Sequence, residues 1–308
     1  PLRDFRWASG CIHDRGIIVT AATGRLDVIA SPIGNLDDLA PRARAALASA
    51  DLVAAEDTRR TGALLTACGI SRPLISLHDY NEVRRVAELV ERMRGGASIA
   101  LVSDAGTPLI SDPGFALVRA AVAAGVAVRP IPGPSAVTAA LSVAGLPTDR
   151  FAFEGFLPAR AAERRRALGT LAGETRTLVF FEAPHRIAAT LADLVQTLGG
   201  GRRALLAREL TKAFETLYRG TLDELAALAG REPNVARGEI TLVVEGAPEE
   251  SEGNPSLLHR ALELLLPELP PARAAAIASQ LAGVKRARAY ELAMELVAAR
   301  SSRDGGGG

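Results

Sequence analysis

One stretch of the sequence combines groups that could bind a small polar molecule. Residues 101–114 read LVSDAGTPLISDPG, in which an apolar run ends at Ser103 and is followed by two prolines, two glycines, Asp104 and Asp112. Glycine permits positive φ and close backbone approach, whereas proline stiffens a loop. Carboxylates accept hydrogen bonds from amino and hydroxyl groups. The stretch therefore predicts a stiff acidic loop that holds a ligand carrying such groups.

Three other apolar runs end in short loops of similar composition. SPIGN follows residues 26–30, PGPSA follows 126–131 and EAPHR follows 177–181. Ligands of open α/β sheets bind beyond the carboxyl ends of the strands, where such loops gather. Any one of these loops could be an ordinary turn, but four in one chain favour a polar cleft. The sequence has no GxxxxGKS, GxxxxGKT or GxGxxG, which argues against a P-loop and the common dinucleotide-binding fold.

Alternating strands and helices are expected to position these loops. Six strand-like apolar runs are present, at 26–30, 99–103, 126–131, 177–181, 204–207 and 240–245. Helical patterns separate most of them, at 36–50, 82–93, 114–124 and 184–198. This alternation predicts an α/β fold with largely parallel sheets that are buried on both faces.

The chain is long enough for about two domains. A break near residues 145–149 predicts a first α/β domain over 25–147 and a second over 148–248. The acidic, Gly- and Pro-containing segment 246–255 predicts a linker to three short helices, at 256–266, 271–281 and 286–300, within a module spanning 255–300. Residues 1–24 lack the apolar core of a secretory signal, and they and residues 301–308 are predicted to be disordered.

Composition narrows the class of protein. The 308 residues are 48% hydrophobic and carry a formal net charge of +1, which argues against a wholly basic coat protein for nucleic acid but allows a local basic surface. Cys11 and Cys68 form no CxxC pair, so neither a disulfide framework nor a zinc site is expected, and a reducing cytosol fits better. No apolar run approaches the length of about 18 residues expected of a transmembrane helix.

Several segments together resemble one known family. They are VIASPIGNLDDLAPRARAALASADLVAAEDTRRTGALL, LVSDAGTPLISDPG, IPGPSAVTAALSVAGLP, VFFEAPHRI, GEITLVVEG and KRARAYELAMEL. In this order and spacing, over about residues 25–300, they are similar to the ribosomal small-subunit RNA methyltransferase I family of the tetrapyrrole methylase superfamily. The resemblance implies a two-domain tetrapyrrole-methylase-like α/β fold with a small C-terminal helical module.

The resemblance also implies an activity. The expected reaction is transfer of a methyl group from S-adenosylmethionine to a cytidine ribose 2′-hydroxyl, in the decoding region of 16S rRNA within the 30S subunit. The expected protein is a cytoplasmic homodimer that needs neither a metal nor a membrane. Its cofactor would lie between the domains, with the methionine end held by the loop after the second strand-like run. The implied cofactor residues are Pro32, Gly34, Ser103, Asp104, Ala105, Gly106, Thr107, Phe181, Glu182, Ala183 and Thr241.

Ribose methylation is an in-line displacement in which the hydroxyl must lose a proton, and a positioned base contributes about 10²–10⁴-fold. Asp57, Glu182 and His185 are the candidate catalytic residues, and His78 and Glu209 are further possibilities. Each has a structural alternative. The Glu56–Asp57 pair could stabilise a helix start, the two histidines could be loop or helix-start residues, and Glu209 could pair with Arg208 or Lys212.

Basic residues are candidates for contact with RNA phosphates. Arg59, Arg60 and Lys212 are expected near the cleft, and Lys285, Arg286 and Arg288 belong to the C-terminal helices. Solvated surface charge is the alternative for each of them. Two other functions also remain open from the sequence: methylation of a tetrapyrrole or other small molecule, and non-enzymatic binding to RNA or the ribosome.

Overall fold

The computed structural model describes residues 24–78, 82–248 and 254–304. Most of the predicted N-terminal extension, residues 1–23, and the end of the predicted tail, residues 305–308, lie outside the described residues. The described chain divides into two compact units, one built from 24–170 and 177–245 and the other from 171–176 and 246–304.

The first half of the larger unit is built on a five-stranded parallel sheet with strand order β3-β2-β4-β1-β5. The strands are β1 Arg25–Ile29, β2 Leu52–Ala55, β3 Leu74–Ser76, β4 Ser98–Val102 and β5 Ala127–Ile131. The helices are α1 Pro41–Ser49, α2 Thr58–Ala67, α3 Glu82–Arg94, α4 Phe115–Ala123 and α5 Ala136–Ala144. The predicted strands at 26–30, 99–103 and 126–131 are confirmed to within one residue at each end.

Strand β4 shows why its last four residues, Ile99–Val102, are all apolar. Ile99 and Leu101 pack into one buried cluster, whereas Ala100 and Val102 pack into another on the opposite face. Alternate residues of a strand point to opposite faces, so a central parallel strand must be apolar at every position. The strand ends where Ser103 begins the polar loop.

The second half contains another five-stranded sheet, with strand order β6-β7-β10-β8-β9. Its strands are β6 Phe151–Phe156, β7 Thr177–Glu182, β8 Arg203–Arg208, β9 Thr216–Thr221 and β10 Ile240–Val244. Its helices are α6 Ala161–Thr170, α7 Ile187–Leu198 and α8 Leu222–Ala229. Only β6 and β7 are parallel, and the other pairs are antiparallel. The expectation of largely parallel sheets is therefore wrong for this half, because a short loop joins β8 to β9 as a hairpin and β10 inserts antiparallel between β7 and β8.

Helix α5 links the two halves. Its buried residues Val137, Ala140 and Leu141 pack against Val179 and Val243 of the second sheet. A helix that precedes the expected boundary at residue 147 thus completes the core that follows it. The two halves consequently form one compact unit, and the boundary itself stays a prediction.

The smaller unit contains three helices, α9 Pro255–Leu265, α10 Pro271–Ala282 and α11 Arg286–Asp304. Its core is rich in alanine, with Ala274, Ala278, Ala289 and Ala293 all fully buried, which lets the helices approach closely. Gly283, with φ of +66°, ends α10 in the left-handed conformation common at helix C-termini. Helix α11 runs through Asp304, so the first four residues of the predicted tail, 301–304, are described as helical, and the disordered tail stays a prediction.

Within the described segments, every helix is too short or too polar to meet the requirements for crossing a bilayer.

Candidate active site

The loop that follows β4 is tied to the loops that follow β1 and β5. Ser31 and Gly106 exchange backbone hydrogen bonds with N···O distances of 2.8 and 3.1 Å. The Ser31 hydroxyl also donates to the Ser103 carbonyl at 3.2 Å, and the Thr107 hydroxyl donates to the Pro134 carbonyl at 3.1 Å. Three loops at the carboxyl edge of the first sheet are therefore joined into one surface, where an open α/β sheet binds its ligands.

The backbone of the loop after β4 is strained. Gly106 and Gly114 have φ of +80° and +120°, and the non-glycine residues Leu109 and Ser111 have φ of +73° and +67°. Left-handed backbone at non-glycine residues costs of order 1–3 kcal/mol each and concentrates at functional sites. A β-carbon on Gly114 would lie only 2.8 Å from Leu101, so this glycine is required both by its φ and by close packing.

A cavity of about 420 Å³ lies along this surface, a volume typical of small-molecule sites. What we call the first wall comes from the first half of the chain: Ile33, Glu56, Arg60, Asp104, Ala105, Gly106, Thr107, Ile110, Ser111, Asp112, Ser135 and Ala136. The second wall comes from the second half: Phe156, Phe181, Glu182, Ala183, Pro184, Ala207, Leu210, Gly238, Glu239, Ile240 and Thr241.

The antiparallel strand β10 explains the composition of the second wall. Its first residue, Ile240, lies opposite Glu182 of β7 and Arg208 of β8. The beginning of β10 therefore meets the carboxyl ends of β7 and β8 at one sheet edge. This register brings residues 238–241 to the cavity together with residues 181–184.

Aromatic rings give the second wall an apolar surface. Phe181 contacts Phe153 and Phe156 edge to face, with ring centroids 4.8 and 5.6 Å apart. Such contacts fix ring orientation. Phe156 is nevertheless 56% exposed, so the cavity has an accessible aromatic face that the neighbouring rings hold in position.

The first wall is acidic, and its carboxylates are linked to one another through the backbone. The Asp104 carboxylate accepts a hydrogen bond from the Asp57 amide at 3.0 Å and forms an ion pair with Arg60 at 3.2 Å. The Asp104 amide in turn donates to Glu56 at 3.4 Å. These contacts join the loop after β4 to the end of β2 and the start of α2.

Asp112 has a different environment from Asp104. Burial raises the pKa of Asp112 to about 6; the negative charges of Glu56 and Asp104 act in the same direction, while contact with the Ser103 hydroxyl acts against them. A carboxyl group with such a pKa exchanges its proton near neutral pH.

The Glu182 carboxylate is fully buried, and neighbouring side-chain and backbone groups contact both of its oxygens. One oxygen accepts from the Thr190 hydroxyl at 2.5 Å, and the other accepts from the Ala183 amide at 2.7 Å and lies 3.1 Å from Arg186 Nε. Arg186 also donates to the Leu157 carbonyl at 2.6 Å. These contacts make Glu182 an anchor for the end of β7, and they do not favour the predicted role as a base.

Neither of the other two candidate catalytic residues lines the cavity. Asp57 caps α2 and accepts hydrogen bonds from the backbone and guanidinium of Arg59. The Arg59 guanidinium holds the pKa of Asp57 well below its ordinary value, which makes this carboxylate a weak base. His185 is exposed on a short 3-10 helix over Pro184–Arg186. His78, which follows the short strand β3, also lies outside the lining residues.

Lys212 lies behind the second wall, where it binds two carboxylates. Its ammonium is 2.8 Å from Glu209 and 3.1 Å from Glu239. Burial opposes the charge of both Glu209 and Lys212, but the ionic contacts prevail, so that the pKa of Glu209 is lowered and that of Lys212 is raised. Lys212 is thus committed to ion pairs, which argues against the predicted contact with RNA phosphates.

The loop after β1 packs against this ionic cluster. A β-carbon on Gly34 would lie 2.3 Å from Lys212 Cγ and 2.9 Å from the Leu210 carbonyl. Gly34 is therefore needed for close approach between the two halves. Together with Pro32 and Ser103, it stands outside the lining residues, whereas the other predicted cofactor residues all line the cavity.

The predicted RNA-binding residues occupy three different environments. Arg60 lines the cavity, whereas Arg59 is 89% exposed and paired with Asp57. In the smaller unit, Lys285, Arg286 and Arg288 are all exposed, in the turn before α11 and in its first turn. Three exposed cations at the start of the second helix of a helix–turn–helix pair suit contact with nucleic acid.

Sequence reasoning missed part of the cavity. The carboxylate of Asp112 was present in the opening motif but was not given a role, although its position eight residues after Asp104 in the same loop was a usable signal. Phe156 and Glu239 gave no such signal, because strand β6 was not predicted and Glu239 lies just before β10 and outside the predicted loops. In the described part of the chain, no cluster of three or more histidine, cysteine, aspartate or glutamate residues is arranged to hold a metal.

Comparisons with known proteins match this architecture. Residues 25–226 match the family described as Tetrapyrrole (Corrin/Porphyrin) Methylases, and residues 253–297 match the RsmI C-terminal HTH domain. The chain is 51% identical over 267 residues to "Ribosomal RNA small subunit methyltransferase I" of Xylella fastidiosa (strain Temecula1), covering 87% of this chain and 98% of that protein. It is 50% identical over 276 residues to the protein of the same name from Pseudomonas aeruginosa, covering 89% and 98%.

A solved structure shares the fold. The uroporphyrin-III C-methyltransferase from Thermus thermophilus, complexed with S-adenyl homocysteine, has a TM-score of 0.52 and 19% identity to this chain. The match covers 72% of this chain and 97% of that one. At this level of identity the likeness concerns the fold alone.

Proposed function

The chain belongs to the tetrapyrrole methylase family and, within it, to the ribosomal RNA small subunit methyltransferase I family, and from this premise we propose that it methylates 16S rRNA. The proposed donor is S-adenosylmethionine, and the proposed acceptor is the 2′-hydroxyl of a cytidine ribose in the decoding region. The observation that carries the proposal is the 50–51% identity to two proteins of that name over 98% of their length. The match of residues 253–297 to the RsmI C-terminal HTH domain favours RNA over a tetrapyrrole as the acceptor.

The cavity suits S-adenosylmethionine in size and chemistry. Its volume of about 420 Å³ lies in the range for ligands of this size. The carboxylates of the first wall complement the ammonium and sulfonium charges, whereas the aromatic and aliphatic side chains of the second wall suit a flat purine. The strained loop after β4 lines the cavity with residues 104–107, whose backbone groups, other than those of Gly106 that bond to Ser31, would face the methionine end.

Residues of both walls would hold the donor. We assign the methionine end to Asp104 and the backbone of 105–107, and the nucleoside end to Phe181, Ala183 and Thr241. Gly34 and Ser103 would support these residues indirectly, Ser103 by accepting a hydrogen bond from the Ser31 hydroxyl and Gly34 by its close approach to Lys212. When bound, S-adenosylmethionine supplies an electrophilic methyl group, and the walls contribute catalysis mainly by holding the two reactants in line.

The partners follow from the same premise. We propose that the substrate is the assembled 30S subunit, that the protein acts as a homodimer, and that it is cytoplasmic. The exposed Lys285, Arg286 and Arg288 would contact rRNA phosphates, which position an RNA without reading its sequence. Arg59 and Arg60, exposed beside the first wall, would meet phosphates near the target ribose.

Methyl transfer from labelled S-adenosylmethionine tests the proposal. The purified protein is incubated with 30S subunits, with deproteinised 16S rRNA, and with a porphyrin precursor. Label is expected in the 30S sample, on a ribose 2′-oxygen identified by nuclease digestion and mass spectrometry. Label in the porphyrin sample would support methylation of a small molecule, and label in none of the three would contradict the enzymatic function.

A further inference from the structure

The carboxylates that line the cavity differ in how their charge is neutralised. Asp104 lies 3.2 Å from Arg60, Glu182 lies 3.1 Å from Arg186, and Glu239 lies 3.1 Å from Lys212. Each of these three carboxylates therefore has a cationic partner. Across residues 24–78, 82–248 and 254–304, no cation is recorded within 4.0 Å of Asp112.

The position of Asp112 is set by the backbone. It follows Ser111 in the left-handed conformation and precedes Gly114, whose φ is +120°. Gly114 then begins α4, and its close packing on Leu101 anchors the turn to strand β4. Asp112 is thus placed in the cavity lining by a loop with left-handed backbone at Ser111 and positive φ at Gly114.

From this geometry we infer that Asp112 is the catalytic residue that accepts the proton of the ribose 2′-hydroxyl. The inference rests on the proposed function. In the reaction, the bond between O2′ and the methyl carbon forms as the bond between that carbon and sulfur breaks. The O2′ proton passes to an Asp112 carboxylate oxygen and later to water, and the electron pair of the broken bond remains on sulfur. No additional oxidant, metal or co-reactant is needed.

The charges around Asp112 fit this role. Glu56 after β2, Asp104 after β4 and Arg60 of α2 line the same wall, and Glu182 and Glu239 lie on the opposite wall. The negative charges nearest in effect are those of Glu56 and Asp104, and both raise the pKa of Asp112. Burial together with these neighbours brings the pKa of Asp112 to about 6, so the group is ionised at neutral pH and still basic enough to take a proton.

The test compares the full-length wild type with Asp112→Asn and with a matched control, Asp149→Asn, which changes an exposed carboxyl group outside the cavity. The probes are S-adenosylmethionine binding by calorimetry, and kcat and KM for 30S methylation from pH 5 to pH 9. We expect Asp112→Asn to bind S-adenosylmethionine with wild-type affinity while kcat falls about 10²–10⁴-fold. The fall in wild-type rate below about pH 6 should be absent in this variant and retained in Asp149→Asn.

Several results would overturn the inference. One is a kcat for Asp112→Asn within about threefold of wild type, and another is a loss of S-adenosylmethionine affinity with kcat unchanged at saturation, which would make Asp112 a cofactor ligand. If Asp112→Asn does not fold, Asp112→Glu replaces it. If the fall in kcat at low pH then occurs at a different pH in Asp112→Glu than in wild type, Asp112 is supported as the proton acceptor. If it occurs at the same pH, this role is rejected. A wild type that leaves 30S subunits unlabelled would contradict the proposed function itself.

Discussion

The two walls of the cavity are held in place by different means. The first wall depends on its backbone, through the Ser31–Gly106 bridge and four residues with positive φ between positions 106 and 114. The second wall depends on side chains, with Arg186 holding Glu182 and Lys212 holding Glu239. Replacing a single glycine should therefore disrupt ligand binding by the first wall, which is shaped by backbone conformation. Removing one ion pair from the second wall should reduce stability and binding only slightly.

The largest effect is expected from Gly106→Val in the first wall. Its φ of +80° is unfavourable for a β-branched residue, and a β-carbon there would lie 3.3 Å from the Ile33 side chain. We expect a loss of about 1–3 kcal/mol in the free energy of unfolding, together with loss of measurable S-adenosylmethionine binding, because the bridge to Ser31 is displaced. Urea unfolding and calorimetry measure the two effects.

Gly125→Val is the matched control for backbone strain. Gly125 has φ of +70°, but a β-carbon there would meet nothing within 4 Å, and the residue lies outside the cavity lining. Its replacement should destabilise the protein by a similar amount while leaving S-adenosylmethionine affinity unchanged. If both variants lose S-adenosylmethionine affinity equally, strain anywhere in this half disrupts the cavity. The binding loss in Gly106→Val could then not be attributed to the first wall.

The contrast between the two walls also explains which residues of the cavity could be predicted from the sequence. The apolar runs of β1, β4 and β5 and the Gly- and Pro-rich loops after them are local signals, and they identified most of the first wall. In the second wall, the loop after β7 gave a similar local signal. Residues 238–241 depend on the register of β10 against β7 and β8, which is set by non-local pairing and leaves no local pattern. Strands as short as β3, with three residues, carry too few positions to show a period.

Side-chain chemistry was predictable to a lesser degree. The sequence contained Asp57, Glu182 and His185 as candidate bases, but it could not show that Arg59 and Thr190 already occupy the first two carboxylates. The partners of Glu182 are Ala183 just after β7, Arg186 of the 3-10 helix and Thr190 of α7, and only the fold shows that they bind its carboxylate together. For Lys212, the sequence offered the pairing with Glu209 as an alternative, but it did not show the second contact with Glu239, which the fold brings within reach.

The next largest effect is expected from Asp104→Ala, which removes charge from the first wall and leaves its backbone in place. If Asp104 accepts a charge-assisted hydrogen bond from the donor's ammonium, S-adenosylmethionine binding should weaken by about 1–3 kcal/mol, or about 5–150-fold in Kd. Calorimetry measures the change, and the exposed carboxyl group of Asp149 again provides a control as Asp149→Ala. Wild-type affinity in a folded Asp104→Ala protein would reject the assignment.

A smaller effect is expected from Lys212→Met in the second wall. The variant keeps the aliphatic stem that packs on Gly34 but removes the ammonium from Glu209 and Glu239. We expect a loss of about 1 kcal/mol in the free energy of unfolding at pH 7 and a change in S-adenosylmethionine affinity smaller than that of Asp104→Ala. Urea unfolding measures the loss of stability, and calorimetry measures the S-adenosylmethionine affinity. A loss of affinity as large as that of Asp104→Ala would indicate that the second wall has collapsed.

The pH dependence of this loss identifies its cause. The pKa of Glu209 is lowered from 4.5 by the folded state, so its stabilisation is present above that value and is lost as pH falls through the lowered pKa. The pKa of Lys212 is raised from 10.5, so its contribution is complete below that value and declines in alkali. The stabilities of wild type and Lys212→Met should therefore converge in acid. A difference that stays constant from pH 7 to pH 3 would indicate lost packing.

The smallest effect on either wall is expected from the combined change of Lys285, Arg286 and Arg288 to alanine, because all three residues belong to the smaller unit. Their positive charges would release counterions from RNA phosphates, a contribution that depends on salt and not on sequence. S-adenosylmethionine affinity should remain at the wild-type value, whereas KM for 30S subunits should rise and its dependence on salt should flatten by about one unit of slope per phosphate contact removed. Methylation rates measured across a salt series, with cofactor titration in parallel, separate the two quantities. A fall in cofactor affinity would mean that the helical module helps to shape the cavity, and an unchanged salt slope would remove these three residues from the RNA interface.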